Sequence, residues 1–498
     1  MADIARVLGF LGTATCILLG WALLNGYPFV YPDTQGYLGL GQTVMGAAGL
    51  QTAAEYPTAD EPAASEQQGG DRGAVGSSDA AEERLHVFRH SLYFSAFSAL
   101  PFPFRHPWTA TWVQALAIVA VLALAFRTLG GTVASAPFVV LISALTLMTP
   151  LGVFGALVMP DVWVGIMVVS AALMVAFGDR LAPSGILLAS TTVGLGAVFH
   201  TSHFAVLVLL FLSAGALMVL GPWRQGLQIH RRGAGGLAVL IGLSLGALAL
   251  QNRVVARTYE ARVVRPPHLT ARLIDGGGPG MDLIEARCPE IGFTVCNYQQ
   301  GLPVEWRHFL FVFPIKEGTT PPELAIASED MAFAIATFAH DPAGVVGLAI
   351  AATLEQLTRF SFETAPIREG IREATALGSF PPTMIAAIRA GALFELDWLY
   401  TVLSQLAYAA VLISVVLLVL GGAKQGPLAD RLSQPAVRTF ALFIVLGVVG
   451  NAAVCGFLAS PYDRFQARIV WVLPALAMLI GIPRQDLSST PHGELENG

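Results

Sequence analysis

Charge is what this chain has least of. Only 12% of its 498 residues are Asp, Glu, Lys or Arg, while 54% are hydrophobic. A soluble globular chain carries about 25% charged residues, so an ordinary soluble domain is excluded. With a formal charge of −6, no nucleic-acid partner is expected. Cysteine is also scarce: Cys16, Cys288, Cys296 and Cys455 are too scattered for a zinc pattern. The sequence contains no H-E-x-x-H and no Walker motif, so metalloprotease and ATPase chemistry lack their usual residues, and a serine hydrolase is not expected either. No internal repeat is visible, which argues against transporter folds built from repeats.

Long apolar runs are abundant. The reading is an all-α polytopic membrane protein of about ten transmembrane helices with a small extracytoplasmic domain. The expected spans are 7–24, 109–126, 134–149, 162–178, 184–199, 204–221, 235–252, 397–420, 437–457 and 469–482. Arg6 precedes the first run, but no small-residue cleavage site follows, so a retained span is expected there. The segments 341–360 and 381–396 are apolar but short, and are expected to be interfacial or re-entrant.

Orientation follows from Lys and Arg. Arg127, Arg180, the group Arg224, Arg231 and Arg232, and the group Lys424, Arg431 and Arg438 fall on one side of this topology. That side is cytoplasmic by the positive-inside rule, with both termini. Asp33, Asp161, His200, His203 and Asp463 then fall at outer ends. The chain divides into an N-terminal transmembrane module (1–252), an extracytoplasmic segment with interfacial helices (253–396), and C-terminal spans with a cytoplasmic tail (397–498). The first outer loop carries a stretch rich in Ala, Gly, Ser and acids at about 50–83, expected to be disordered. Cys288 and Cys296 share a polar outer loop, where an oxidising compartment would let them pair; two free thiols are the alternative.

Two acids follow proline at the same rim, Asp33 in "YPDT" and Asp161 in "MPDVW". Each could cap the helix it precedes. Together they suggest chemistry, because an acid at a membrane boundary is costly unless paired or used. A carboxylate there can take a proton from an attacking hydroxyl. A phosphate leaving group would need cations, for which the candidates are Arg89, His90, His200, His203, Arg464 and Arg468. The alternative for the arginines is headgroup anchoring, and for the histidines a polar cap at two helix ends.

The arrangement resembles the GT-C superfamily of integral-membrane glycosyltransferases. The residues that carry the resemblance are the acid after the first span, "RHSLYFSAFSAL" before a span beginning "WVQALAIVAVLAL", the second acid in "MPDVW", and an Arg-bearing loop running into "WVLPALA". The resemblance covers roughly residues 1–220 and 459–480. It implies an inverting transfer of sugar from a polyprenyl-phosphate donor at the periplasmic face of a bacterial inner membrane. Asp33 would be the base, and Asp161 would position the acceptor or a divalent cation. Arg89, Arg464 and Arg468 would hold the lipid phosphate. "PDT" stands where many members carry an acid pair, so metal dependence stays open, as do sugar and acceptor. The competing expectation is a lipid or polysaccharide transporter, or a non-catalytic assembly component.

Overall fold

The computed structural model describes residues 2–47, 49, 85–100, 107–220, 226–311, 322–361, 380–393 and 395–482. The stretch at about 50–83 lies outside the described residues, as does the tail from 483. The described chain is almost wholly helical. Its strands are one short parallel pair, Leu85–Val87 beside Arg262–Val264.

Five helices are long and apolar enough to cross a membrane: Trp108–Thr128, Thr201–Val219, Arg231–Tyr259, Trp398–Gly422 and Pro435–Leu458. Leu324–His340 and Pro342–Thr358 meet at 111° and would add a sixth if they form one broken span. The break has a local cause. Pro342 opens the second helix, and the Asp341 carboxylate accepts from Gly344 N at 2.9 Å to cap it. A multi-pass membrane protein is compatible with these helices. The segment expected at 381–396 contains helix Pro382–Arg389, whose 8 residues are too few to cross a hydrocarbon core of about 30 Å.

The remaining apolar runs make shorter helices. The run at 7–24 is split at Leu19 into Ala2–Leu18 and Gly20–Asn25. The run at 469–482 holds only Val472–Ile480, directly after Asp463–Val470. Helix Trp163–Phe177 is buried along its whole length. A helix that is apolar all round must be wrapped by others, and small residues let its neighbours close in. A Cβ on Gly447 would sit 2.3 Å from Val168 Cγ1, and one on Gly233 would sit 2.0 Å from the Met174 carbonyl oxygen.

The helical body has two distinct polar ends. At one, Arg431 donates to the Leu129 carbonyl at 2.6 Å, Gln228 N donates to Thr439 at 2.9 Å, and His230 meets Asp179 at 2.7 Å. Helix Pro435–Leu458 leads from there to the other end, where Asp33, Asp161 and helix Asp463–Val470 gather.

A second apolar cluster, centred on Leu273, Ile284, Phe309, Ile326 and Phe333, adjoins this second end. Cys288 and Cys296 form a disulfide within it, Cα–Cα 5.6 Å. Helix Pro322–His340 ties the cluster together through two acids. Asp330 accepts from Thr270 N at 2.7 Å and Oγ1 at 2.8 Å, and Glu329 accepts from Thr294 N and Oγ1, both at 2.8 Å. Ser460 donates to Asp275 at 3.4 Å, joining the cluster to the turn before Asp463.

Candidate functional site

The site is built by zipping together the two proline–aspartate segments. Phe29 N donates to the Ala156 carbonyl at 3.1 Å, and Val158 N donates to the Phe29 carbonyl at 3.0 Å. Thr34 adds a cross-link: its hydroxyl accepts from Tyr31 N at 2.9 Å and donates to the Val158 carbonyl at 3.0 Å. Gln114 holds the second segment from below. Its amide donates to the carbonyls of Phe154, Gly155 and Leu157, and its oxygen accepts from the Trp163 indole at 2.9 Å. Proline precedes both acids and fixes each approach, so Asp33 and Asp161 are delivered to one place.

There they meet Arg464. Its Nε and Nη2 reach the two oxygens of Asp161, each at 3.1 Å, a paired fork geometry. Its Nη1 donates to Asp33 Oδ2, also at 3.1 Å. The guanidinium lies over the Tyr31 ring, 4.1 Å from the centroid. Exposure separates the two acids: the Asp161 side chain is 3% exposed and the Asp33 side chain 49%. Asp161 does not cap the following helix; its carboxylate goes to arginine instead. Burial works to raise the Asp161 carboxyl, but Arg464 and then Arg468 outweigh it and hold it below the ordinary carboxylate value.

Arg468 lies four residues on, on the same helix face. It is 1% exposed and approaches Asp161 only to 3.8 Å. Its donors go inward, to Asn451 Oδ1 at 2.9 Å, Ser202 Oγ at 2.9 Å and Cys455 Sγ at 3.0 Å. Arg468 thus spends Nε and Nη2 on the protein, while its Nη1 stands 3.8 Å from Asp161. Asn451 is fixed in turn by donating to the Phe465 carbonyl at 2.6 Å and to Gln466 Oε1 at 3.0 Å.

The histidines divide. His200 caps helix Thr201–Val219 by accepting from Ser202 N at 3.2 Å, the polar-cap alternative. Burial and the nearby Arg468 push its imidazole down to about 3, so it is neutral near pH 7. His203 is fully buried with Nδ1 3.1 Å from the Gly196 carbonyl, so it does not reach solvent. His90 stands edge-on to Tyr37, with ring centroids 4.7 Å apart. Gly36, one turn after Asp33, admits it: a Cβ there would lie 2.4 Å from the imidazole. Arg89 lies toward His268 of the second cluster, whose imidazole is lowered to about 4 by burial and then by Arg89. The structure therefore brings together Asp33, Asp161, His200, Arg464 and Arg468 and keeps His90 beside them, while Arg89 is near enough to His268 to act on its charge.

Sequence reasoning missed Tyr31, Ser202, Asn451 and Cys455. Asn451 carried a usable signal, being an amide inside an apolar run. A G-x-S-x-G pattern does occur, at Gly242 to Gly246, but Ser244 is buried within helix Arg231–Tyr259, away from any strand-to-helix elbow.

Among the described residues no group of three or more His, Cys, Asp or Glu is gathered as a metal-ligand set. Asp33 and Asp161 both spend oxygens on Arg464, so a divalent ion between them would have to displace the guanidinium. The residues present do not fit one. Protein-family models, curated proteins and solved structures give no match to this chain.

Proposed function

We propose that this chain is an integral-membrane glycosyltransferase of the GT-C kind. It moves a sugar from a polyprenyl-phosphate donor to an acceptor at the extracytoplasmic face of a bacterial inner membrane. In this reading about ten spans place both termini in the cytoplasm, with the shorter apolar helices completing the spans. The second apolar cluster is a small extracytoplasmic domain. The disulfide supports that placement, because an oxidising compartment favours it.

The observation that carries the reading is one arginine shared between a buried and a half-exposed carboxylate at a single helical rim. Asp161 holds the guanidinium in place. Arg464 is the cation that neutralises a lipid phosphate, and its planar fork suits that group. Asp33, the exposed acid, is the base. The acceptor oxygen attacks the anomeric carbon as its proton passes to Asp33. The bond from that carbon to the phosphate oxygen breaks with inversion, and polyprenyl phosphate leaves carrying the charge that Arg464 stabilises. Most apolar helix centres carry no charge, which favours chemistry at the rim over translocation through the body.

The test is mass spectrometry of lipid co-purified with the protein. A polyprenyl phosphate, with or without sugar, should be present in wild type and lost from the Arg464→Ala protein. Bulk phospholipid alone, unchanged by the substitution, would remove the donor site and leave the transport and assembly readings.

A further inference from the structure

We infer that Asp33 is the resting occupant of an anion site on Arg464, and that the phosphate of the lipid donor enters by displacing it. The inference rests on the proposed transferase reading and adds an order of events to it. Three of the guanidinium's donors are committed, on two unequal edges. The edge formed by Nε and Nη2 is closed by Asp161 through two bonds, both at 3.1 Å and both buried. The outer edge is held by a single bond from Nη1 to Asp33, at 3.1 Å. Asp161 sits in a segment fixed by Phe29, Thr34 and Gln114. Asp33 opens helix Pro32–Ala47 with about half of its side chain in contact with solvent. A competitor therefore replaces Asp33 and not Asp161.

Charge makes Asp33 and an incoming anion competitors for one cation. Asp33 and Asp161 against Arg464 and Arg468 sum to zero, −2 + 2. Without Asp33 the remaining three sum to −1 + 2 = +1, which attracts an anion. The neutral His200 leaves this balance unchanged. Tyr31, beneath the guanidinium face, keeps its plane and its outward edge in position during the exchange.

The consequence is a latch. With no donor bound, the Asp33 carboxylate is tied to Arg464. When a phosphate takes Nη1, the carboxylate is released beside the leaving group, where the acceptor hydroxyl must lose its proton. Base and donor are thereby coupled through one N–H group.

The test titrates full-length protein in phosphatidylcholine nanodiscs with farnesyl phosphate, using farnesol and inorganic phosphate as controls. The Asp33→Asn protein should bind farnesyl phosphate about three- to tenfold more tightly than wild type, because an internal competitor worth one partly exposed charged hydrogen bond is gone. Arg464→Gln should abolish binding, and farnesol should show no gain in either background. Asp33→Ala provides a second route should Asp33→Asn fail to fold. A gain shared by inorganic phosphate supports the latch and assigns the site to the phosphate group alone; a gain confined to farnesyl phosphate supports it with a lipid ligand. Wild-type binding that is equal or tighter than that of the Asp33 variants overturns the latch while the donor site stands. No binding by wild type or by either Asp33 variant overturns both.

Discussion

Arg464 and Arg431 lie at opposite ends of the helical body and spend their donors on different partners. Arg464 is buried against Asp161 and also reaches Asp33, so that charge meets charge. Arg431 donates to the backbone carbonyl of Leu129, and nearby Arg438 to that of Leu432. The contrast separates a cation that meets carboxylates from one that meets a backbone carbonyl. Cations that cap carbonyls anchor an end and mark its side. Opposite charges buried together are costly to desolvate, and removing one partner leaves the other stranded.

The comparison is broken most severely at Asp161. Asp161→Ala should destabilise the folded protein by about 3–5 kcal/mol, since it removes the buried counter-charge of Arg464 and Arg468 and leaves Arg464 only the half-exposed Asp33. Thermal unfolding in detergent measures this; a loss no larger than that of Arg431→Ala would erase the difference between the ends. Asn451→Leu comes next, at about 1–3 kcal/mol, because Arg468 loses the acceptor of its Nε and Nη2. Arg431→Ala should cost about 1 kcal/mol and leave turnover unchanged, in an assay normalised to folded protein. Asp33→Asn should cost less than about 1 kcal/mol of stability, since half-exposed pairs contribute little, yet it should remove turnover. A large stability loss there would make Asp33 structural.

The remaining effect is one of pH. The folded state holds His200 near 3, below its ordinary 6.5. Between those values the unfolded state binds the extra proton, so stability rises with pH in this window and falls as pH drops from 6.5 toward 3. Asp161, held below 3.8, acts in the same direction but only at lower pH. His200→Gln should flatten part of the slope between pH 4 and 6.5, read from unfolding midpoints in that window. An unchanged slope would assign the dependence elsewhere.

The sequence made one half of the site legible and hid the other. Asp33 and Asp161 stand out because each follows proline beside an apolar run, and Arg464 because it opens a short basic segment. Their meeting could not be read, since Arg464 is 431 residues from Asp33 and 303 from Asp161 along the chain. Arg468 has the same residue type four positions on, yet points into the protein; only packing distinguishes the two. Ser202 and Cys455 were hidden because single small polar residues are tolerated in apolar runs. The helical class was legible from the long apolar runs, whereas the break at Leu19 and the bend at Asp341 depend on local capping and packing that a hydropathy window averages away.

The most direct measurement is release of polyprenyl phosphate from a polyprenyl-phosphate-linked sugar in nanodiscs, comparing wild type with folded Asp33→Asn protein. Wild type should turn over, and the variant should be slower by about a hundredfold or more, the scale of a removed general base. A folded Asp33→Asn protein that turns over as fast as wild type would contradict that role for Asp33.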